Sequence, residues 1–490
     1  MGRALYPATV PAVRDWRPEH GEFRLPERPR IVIADPALRD EAETFAADLR
    51  SLTGRRSEVA HAGSTRQGDV LLSLGDDDPQ LGDEGYHLHA DESLRITGTT
   101  PTGAFWGTRT LLQLVRHGRS IPRGDARDWP RYPERGLMVD NGRKYFPPGW
   151  IEREIRQLSY LKLNRLHLHF SDNEGFRIAS RSHPEIVSSP RLTCRQVRHL
   201  VSVGERYHVK LVPEIDMPGH MRAALAAHPE LQLADRRGSR APEKLDYTKP
   251  SAQEFAKDLI REYMDLFPAD EWHLGADEFV SPADYGRYPQ LTDYARATHG
   301  PDATPHDGFL GFINSINDLA RRRGKRLRVW NDALGGGRVV TLDPRIVVEW
   351  WTNPAGPGSR PGPQDLIERG HDVLNAGWFP TYYVAGSSSQ PDMTWAYEDW
   401  DVNVFFGAHH PSRAPREPDF ALSPDEPKNL GSELHVWNDD PNAETEAEVA
   451  QAIAPRLRVL AQKTWRSPPL ADDFATFERI ARGVGPAAGA

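Results

Sequence analysis

Two acidic residues stand side by side in the segment HLGADEF, Asp277 and Glu278. One carboxyl group can protonate a leaving oxygen while a second steadies the charge that develops. In an extended strand, neighbouring side chains point to opposite faces. Such a pair does not easily act as acid and nucleophile across one bond, a job that takes carboxyl groups roughly 5–5.5 Å apart. The difficulty disappears if the substrate supplies the nucleophile, as the oxygen of a 2-acetamido group can. One carboxylate then protonates and the other only orients the acetamide. Taken alone, an Asp-Glu dipeptide is better explained as a solvated strand end.

Other residues extend the pattern. His220 closes PEIDMPGH, where it could link Asp172 to Glu278 and tune the acid, or simply lie on the surface after a turn. Arg143, in RGLMVDNGRKYFP, offers a planar fork for hydroxyl groups or for a nearby carboxylate. The chain holds 13 Trp. Indole rings stack on the apolar faces of sugars, although a single Trp is more often core. His167 and His169 form an HLH pair whose side chains share one strand face. With His220 and Asp277 they could ligate a metal, as in barrel metal-dependent hydrolases. No ligating lysine or further histidine pair follows at a later strand end, and packed barrel histidines are the plainer alternative. The single cysteine, Cys194, follows Thr193 at an expected helix start and reads as a spectator thiol that cannot form an internal disulfide.

These groups need elements to hold them. At 490 residues, with 38 % hydrophobic residues, the chain suits two domains. A net charge of −9 offers no concentrated positive surface for nucleic acid or an anionic membrane. No run approaches the roughly 18 apolar residues of a membrane span. The first residues lack the apolar core of a signal peptide, which leaves a cytoplasmic protein or a secreted one whose leader has been removed. No cofactor is implied.

Residues 1–130 read as a small α/β domain, with strands in RIVIAD, DVLLSLG and SLRITG, helices in ALRDEAETFAADLRSLTG and TPTGAFWGTRTLLQLVRHG, and a connection in IPRGDARDWPRYPERG. From 131 to 466, eight short apolar runs alternate with amphipathic stretches: RGLMVDN, LNRLHLHFSD, VKLVPEIDMPGH, EWHLGADE, LRVWND, RIVVEWW, HDVLNAG and GSELHVWND. Runs of this kind suit strands buried on both faces, and eight strand–helix units predict a (β/α)8 TIM barrel. Residues 467–490 read as a C-terminal tail. Nearly every run ends in Asp, Glu or Trp: Asp140, Asp172, Asp216, Asp277 with Glu278, Trp330, Trp351 and Trp437. Barrel active sites sit at that end of the strands.

In this order, RGLMVDNGRKYFP, LNRLHLHFSDNEGFRI, VPEIDMPGH and HLGADEF resemble the family 20 glycoside hydrolases, the β-N-acetylhexosaminidases, over about residues 20–465. The resemblance implies a small α/β domain before a (β/α)8 barrel, and a retaining exo-hydrolase of terminal β-linked N-acetylhexosamine acting through an oxazolinium intermediate. Glu278 is then the general acid/base, and Asp277 binds the acetamide N–H. Asp172 and His220 form a charge chain toward Glu278, and Arg143 grips hydroxyls. Trp330, Trp437 and one of Trp350 and Trp351, with Trp351 preferred, wall the pocket. A tyrosine in TYYVAG, Tyr383 or else Tyr382, binds the acetamide oxygen. Two positions depart from many relatives: Ala385 stands for an acidic residue two places after that tyrosine, and Asp439 for a glutamate. Both touch the far edge of the sugar and resemble the lacto-N-biosidase branch, so release of a disaccharide or a 6-substituted sugar is the alternative. A metal-dependent hydrolase and a silent sugar-binding protein are the readings from other classes.

Overall fold

The computed structural model describes residues 7–489 except 62–65, 76–77, 117, 119, 354–360, 408–413 and 416. The N-terminal part is a seven-stranded sheet. Its strands are β1 (Asp15–Arg24), β2 (Arg30–Ile33), β3 (Glu58–His61), β4 (Val70–Leu74), β5 (Tyr86–Ala90), β6 (Leu94–Gly98) and β7 (Ser120–Asp128). They lie in the order β1-β7-β5-β6-β4-β2-β3. The helices Arg39–Thr53 and Pro101–Arg116 bury apolar stripes between them, including Phe45, Leu49, Leu111 and Leu112. The segment expected as a plain connection is therefore partly a strand. Ser120–Asp128 alternates buried and exposed residues and pairs with both β1 and β5.

The barrel strands are β8 (Glu134–Asp140), β9 (Arg165–His169), β10 (Lys210–Glu214), β11 (Glu271–His273), β12 (Arg326–Trp330), β13 (Val347–Trp350), β14 (Val373–Asn375), β15 (Tyr382–Val384) and β16 (Asn429–Trp437). Eight of them pair in parallel in sequence order. The ring closes where β14 meets the start of β16 and β16 meets β8. β15 is an added strand, paired with the upper half of β16 (Tyr382 opposite His435). In effect the seventh wall is built from two short pieces.

The barrel interior differs from an all-apolar filling. Arg165 and Arg328 are buried inside it with Glu134, Glu271, Glu349 and Glu433. Arg328 reaches across the barrel to Glu134 (2.9 Å) and along its own side to Glu349 (2.7 Å). The runs that read as apolar on both faces thus alternate, with apolar residues turned to the helices and charges turned inward. Taking one partner from such a buried set costs about 3–5 kcal/mol, because the other charge is left unpaired.

The stretch 467–490, expected as a tail, contains the helix Phe474–Val484 with Phe477, Ala481 and Val484 buried. The Tyr160 hydroxyl donates to the carbonyl of Val484 (3.0 Å), which fastens this helix to the barrel. Thr193 caps its helix through the N–H of Gln196, and the Cys194 thiol, at the first helical position, donates to the Ala179 carbonyl at 3.8 Å. Among the described residues, no helix is long and apolar enough to cross a membrane.

Candidate active site

A cavity of about 190 Å³ opens at the C-terminal ends of the barrel strands. Arg143, Asp172, His220, Asp277, Glu278, Trp330, Trp351, Trp437 and Asp439 line it, together with His169, Asp216, Trp378, Tyr382 and Val384. A larger hollow, about 480 Å³, lies at the opposite strand ends beside Glu84, His208, Lys210 and Asp270. Its charged groups pair locally, as Lys210 does with Asp270 (2.6 Å), instead of converging on one point.

Asp277 and Glu278 lie beyond the end of β11. The chain there turns through left-handed conformations at Gly275 (φ 75), Ala276 (φ 67) and Glu278 (φ 45). Two of these are non-glycine residues, a strain typical of functional turns. The opposite-faces rule of an extended strand therefore does not apply, and both carboxylates approach the same nitrogen. His220 Nε2 lies 3.5 Å from Asp277 Oδ2 and 3.4 Å from Glu278 Oε2. Gly275 is required by space as well as by φ, since a Cβ there would meet Asp216 Oδ1 at 1.9 Å.

The far side of His220 is anchored. Its Nδ1 lies 3.1 Å from Asp172 Oδ1, and Asp172 also receives His169 Nε2 (2.9 Å) and Arg143 Nη2 (2.8 Å). Burial alone would lower the His220 pKa. The charges of Asp277, Asp172 and Glu278 outweigh it and raise the pKa well above the ordinary imidazole value. Asp172 is held well below the carboxylate range: burial opposes this, but the hydrogen bonds of His169 and His220 win. Burial likewise works against the Arg143 charge, which Asp140 and Asp172 restore.

The adjacent carboxylates separate. The hydrogen bond from His220 pulls the Glu278 pKa down, against burial. That pull is screened, because the Glu278 side chain is 59 % exposed. Burial pushes Asp277 up, with Glu278 adding to it. Asp216 beside it is raised further, by burial and by Asp277. Two enclosed carboxyl groups cannot both ionise cheaply. Burial therefore works against charge on both, and most on Asp216, the more deeply buried of the two. Asp277 Oδ1 is buried with no hydrogen-bond partner among the described residues.

Trp330 forms the floor, its indole N–H donating to Glu214 (2.9 Å). The Trp351 ring lies nearly parallel to the Tyr382 ring, 6.3 Å away at 12°. Trp350 faces the other way, against Phe405 and Phe420. Asp439 stands at the rim beyond Trp437. The tyrosine register needs correction. Tyr383 points out of the pocket, its hydroxyl donating to Glu444 (2.7 Å), and Tyr382 lines the cavity. Alternation along β15 carries the correction two residues on. The side chain of this stretch that lines the cavity beside Tyr382 is that of Val384, whereas Ala385 is buried and gives its N–H to the Trp437 carbonyl.

Some groups carried no role in the sequence. Asp332 accepts the backbone N–H of Glu278 (2.9 Å) and the Trp351 indole N–H (3.3 Å), so one carboxylate fixes both the Glu278 backbone and a wall of the cavity. Glu214 and Asp216 share a face in PEID, a period-2 signal that was readable. Trp378 had no such signal. The HLH histidines do not form an open metal site. His169 faces a carboxylate on each nitrogen, Glu214 at 2.6 Å and Asp172 at 2.9 Å, and so donates on both sides with no lone pair to spare. Its pKa is raised accordingly: burial opposes the charge and Glu214 and Asp172 overcome it. His167 lies under Trp330 and is kept neutral by burial, its pKa lowered to about 4.

Comparison with known proteins gives a consistent result. The sequence matches the profile for the catalytic domain of glycosyl hydrolase family 20 over residues 132–468, and that for domain 2 of the same family over residues 6–129. Lacto-N-biosidase of Bifidobacterium bifidum is 32 % identical over 467 residues, covering 94 % of this chain and 40 % of that protein. A β-hexosaminidase of Porphyromonas gingivalis is 28 % identical, covering 93 % and 60 %. The chain thus spans less than two thirds of either relative's length. Among solved structures, the exo-β-N-acetylglucosaminidase of Vibrio harveyi superposes with a TM-score of 0.76 at 20 % identity, over 99 % of this chain and 77 % of that one. The β-N-acetylhexosaminidase of Streptomyces coelicolor does so at 0.74 and 24 %, over 98 % and 95 %. These two likenesses speak for the fold.

Proposed function

The chain belongs to glycosyl hydrolase family 20, and from that premise we propose that it hydrolyses the β-glycosidic bond of an N-acetylhexosamine residue with retention, using the substrate's acetamide oxygen as nucleophile. Glu278 protonates the leaving oxygen and then activates water. Asp277 accepts the acetamide N–H, and Tyr382 donates its hydroxyl to the acetamide oxygen. The two contacts turn that oxygen toward the anomeric carbon and stabilise the positive oxazolinium ring. Arg143 and Asp439 hold sugar hydroxyls, and Trp330, Trp351 and Trp437 cover the apolar ring faces.

The observation that carries this reading is Asp277 Oδ1, an enclosed carboxylate oxygen with no hydrogen-bond partner among the described residues, in the cavity that Glu278 also lines. Leaving such an oxygen unpaired costs about 1–3 kcal/mol, which a substrate N–H recovers. The test uses an aryl N-acetylglucosaminide and the aryl glucoside that lacks the acetamide. The first is cleaved and the second is not, and Glu278→Gln slows the first by about 10²–10⁴-fold. Near-normal turnover by that variant, or equal cleavage of both substrates, sinks the proposal.

One observation favours a second reading, release of a disaccharide such as lacto-N-biose. Val384 gives the far edge of the sugar no hydrogen-bond partner, so a hydroxyl there can be substituted without leaving a buried polar group unpaired. The relative with 32 % identity carries that activity in its name. Aryl lacto-N-bioside tested beside the monosaccharide substrate separates the two.

A further inference from the structure

Away from the cavity, the tripeptide His-Pro-Glu occurs at His183–Glu185 and again at His228–Glu230. Each histidine is the N-cap of a single 3-10 turn, Pro184–Ile186 in one case and Pro229–Leu231 in the other. Their backbones nearly coincide, at φ −136 and ψ 65 for His183 and φ −129 and ψ 61 for His228. The first turn lies in the loop after β9 and the second in the loop after its neighbour β10. The two rings stand perpendicular, 6.0 Å apart, each against the ring of Phe255. Glu185 Oε1 lies 3.0 Å from His183 Nδ1 and 2.8 Å from His228 Nε2. Glu230 Oε1 lies 3.2 Å from the other nitrogen of His228, Nδ1.

We propose that His183 Nδ1, His228 Nε2 and a Glu185 oxygen form a binding site for a zinc-like divalent cation that staples these two loops together. Two imidazoles and a carboxylate are a donor set that suits zinc, with water in the remaining position. Glu230 stands where an outer carboxylate belongs in such sites. By accepting the Nδ1 proton of His228 it fixes the tautomer whose Nε2 lone pair points at Glu185. His169 is locked between two fully buried carboxylates, whereas the partners of His228 are open to solvent, Glu185 at 40 % and Glu230 at 64 % exposure, and can turn to let a cation in. Bonds of about 2.0 Å put tetrahedral ligand atoms about 3.3 Å apart. The present 2.8–3.0 Å therefore asks Glu185 to move outward by a few tenths of an ångström, and its side chain is 40 % exposed and able to do so. The site is separate from the buried histidines of the barrel and does not depend on the proposed reaction.

The test uses untagged full-length protein, stripped with a chelator and titrated with zinc chloride alone. Calorimetry is expected to show one zinc per chain, and thermal unfolding a higher Tm with zinc than without. Both effects disappear in the double variant His183→Ala/His228→Ala, with circular dichroism confirming that it folds. Should that variant not fold, His183→Gln takes its place and must weaken binding at least about 10-fold. Glu230→Gln keeps the stoichiometry and weakens binding about 10–100-fold, the usual effect of losing an outer partner. No uptake overturns the proposal and leaves only histidine–glutamate ion pairs. So does uptake that survives loss of both histidines.

Discussion

Glu278 and Asp277 are neighbours in sequence, yet their surroundings drive them apart. His220 draws the Glu278 proton away, while burial holds Asp277 above the ordinary carboxylate range. For the general acid proposed above, a lowered pKa in the empty site looks unsuited to the task. The resolution lies in His220, 3.4 Å away and with a raised pKa. The opposite directions of the two shifts favour a shared proton on the imidazole while Glu278 stands open to solvent. In the proposed reaction a sugar and its leaving group exclude solvent there, a separated ion pair becomes costlier and the proton moves to the carboxylate. Activity then falls on the alkaline side as the pair loses its proton, at a pH set by the raised His220 pKa. It falls on the acid side as Asp277 gains one, above the usual carboxylate range. Asp172→Asn removes a charge that raises His220. The alkaline limb of the kcat/KM profile is expected to move to lower pH while the acid limb stays. The loss at the optimum should be smaller than the roughly 10²–10⁴-fold of deleting the acid itself. An unmoved alkaline limb would mean that Asp172 only holds the loop in place.

At the scale of single elements, β15 shows what sequence could and could not tell. The strand-end carboxylates and indoles were legible because the barrel turns every strand end toward one rim. Asp277, Glu278, Asp172, His220 and Trp437 need no register beyond that to meet there. The segment TYYV is different, since its two tyrosines are adjacent and alike. Only pairing with β16 decides which faces the cavity, with Tyr382 opposite His435 and Val384 opposite Trp437. The inward charges Arg165, Arg328 and Glu349 were hidden for a related reason: each partner lies on another strand, far away in sequence. The same register makes Val384 the residue that borders the far edge of the sugar in the proposed reading. Val384→Asp restores an acceptor there, which rewards a free hydroxyl and leaves a substituted one unmatched. The ratio of kcat/KM for aryl N-acetylglucosaminide over aryl lacto-N-bioside is expected to rise about 10-fold, the worth of roughly one hydrogen bond to a charged group. An unchanged ratio would show that the edge is read elsewhere, with Asp439 the next residue to vary.

At the scale of the whole molecule, the sheet domain and the barrel share one buried hub. Asp128, at the end of β7, accepts from the Tyr86 hydroxyl (2.6 Å), Lys162 Nζ (2.6 Å), the Trp465 indole N–H (2.7 Å) and the Arg14 N–H (3.0 Å). Tyr86 belongs to the sheet, whereas Lys162 follows the helix Pro148–Tyr160 of the barrel and Trp465 ends the helix Glu446–Trp465. Lys162 and Asp128 are both fully enclosed, and the ammonium lies over the Trp465 ring at 4.6 Å. Burial lowers the Lys162 pKa, with Asp128 opposing that shift, so the charge persists because of its partner. Lys162→Met keeps most of the side-chain volume and strands the Asp128 charge. The expected loss is about 3–5 kcal/mol, the usual consequence of breaking a buried pair from one side. Because the hub joins both parts, they should still unfold in urea as a single transition, with tryptophan fluorescence and circular dichroism shifting together to a lower midpoint. Adding Asp128→Asn removes the stranded charge, keeps an acceptor for Tyr86 and Trp465, and should recover part of the loss. Two separated transitions in the single variant would instead mean that the sheet domain is held to the barrel through this one contact and comes free when it is cut.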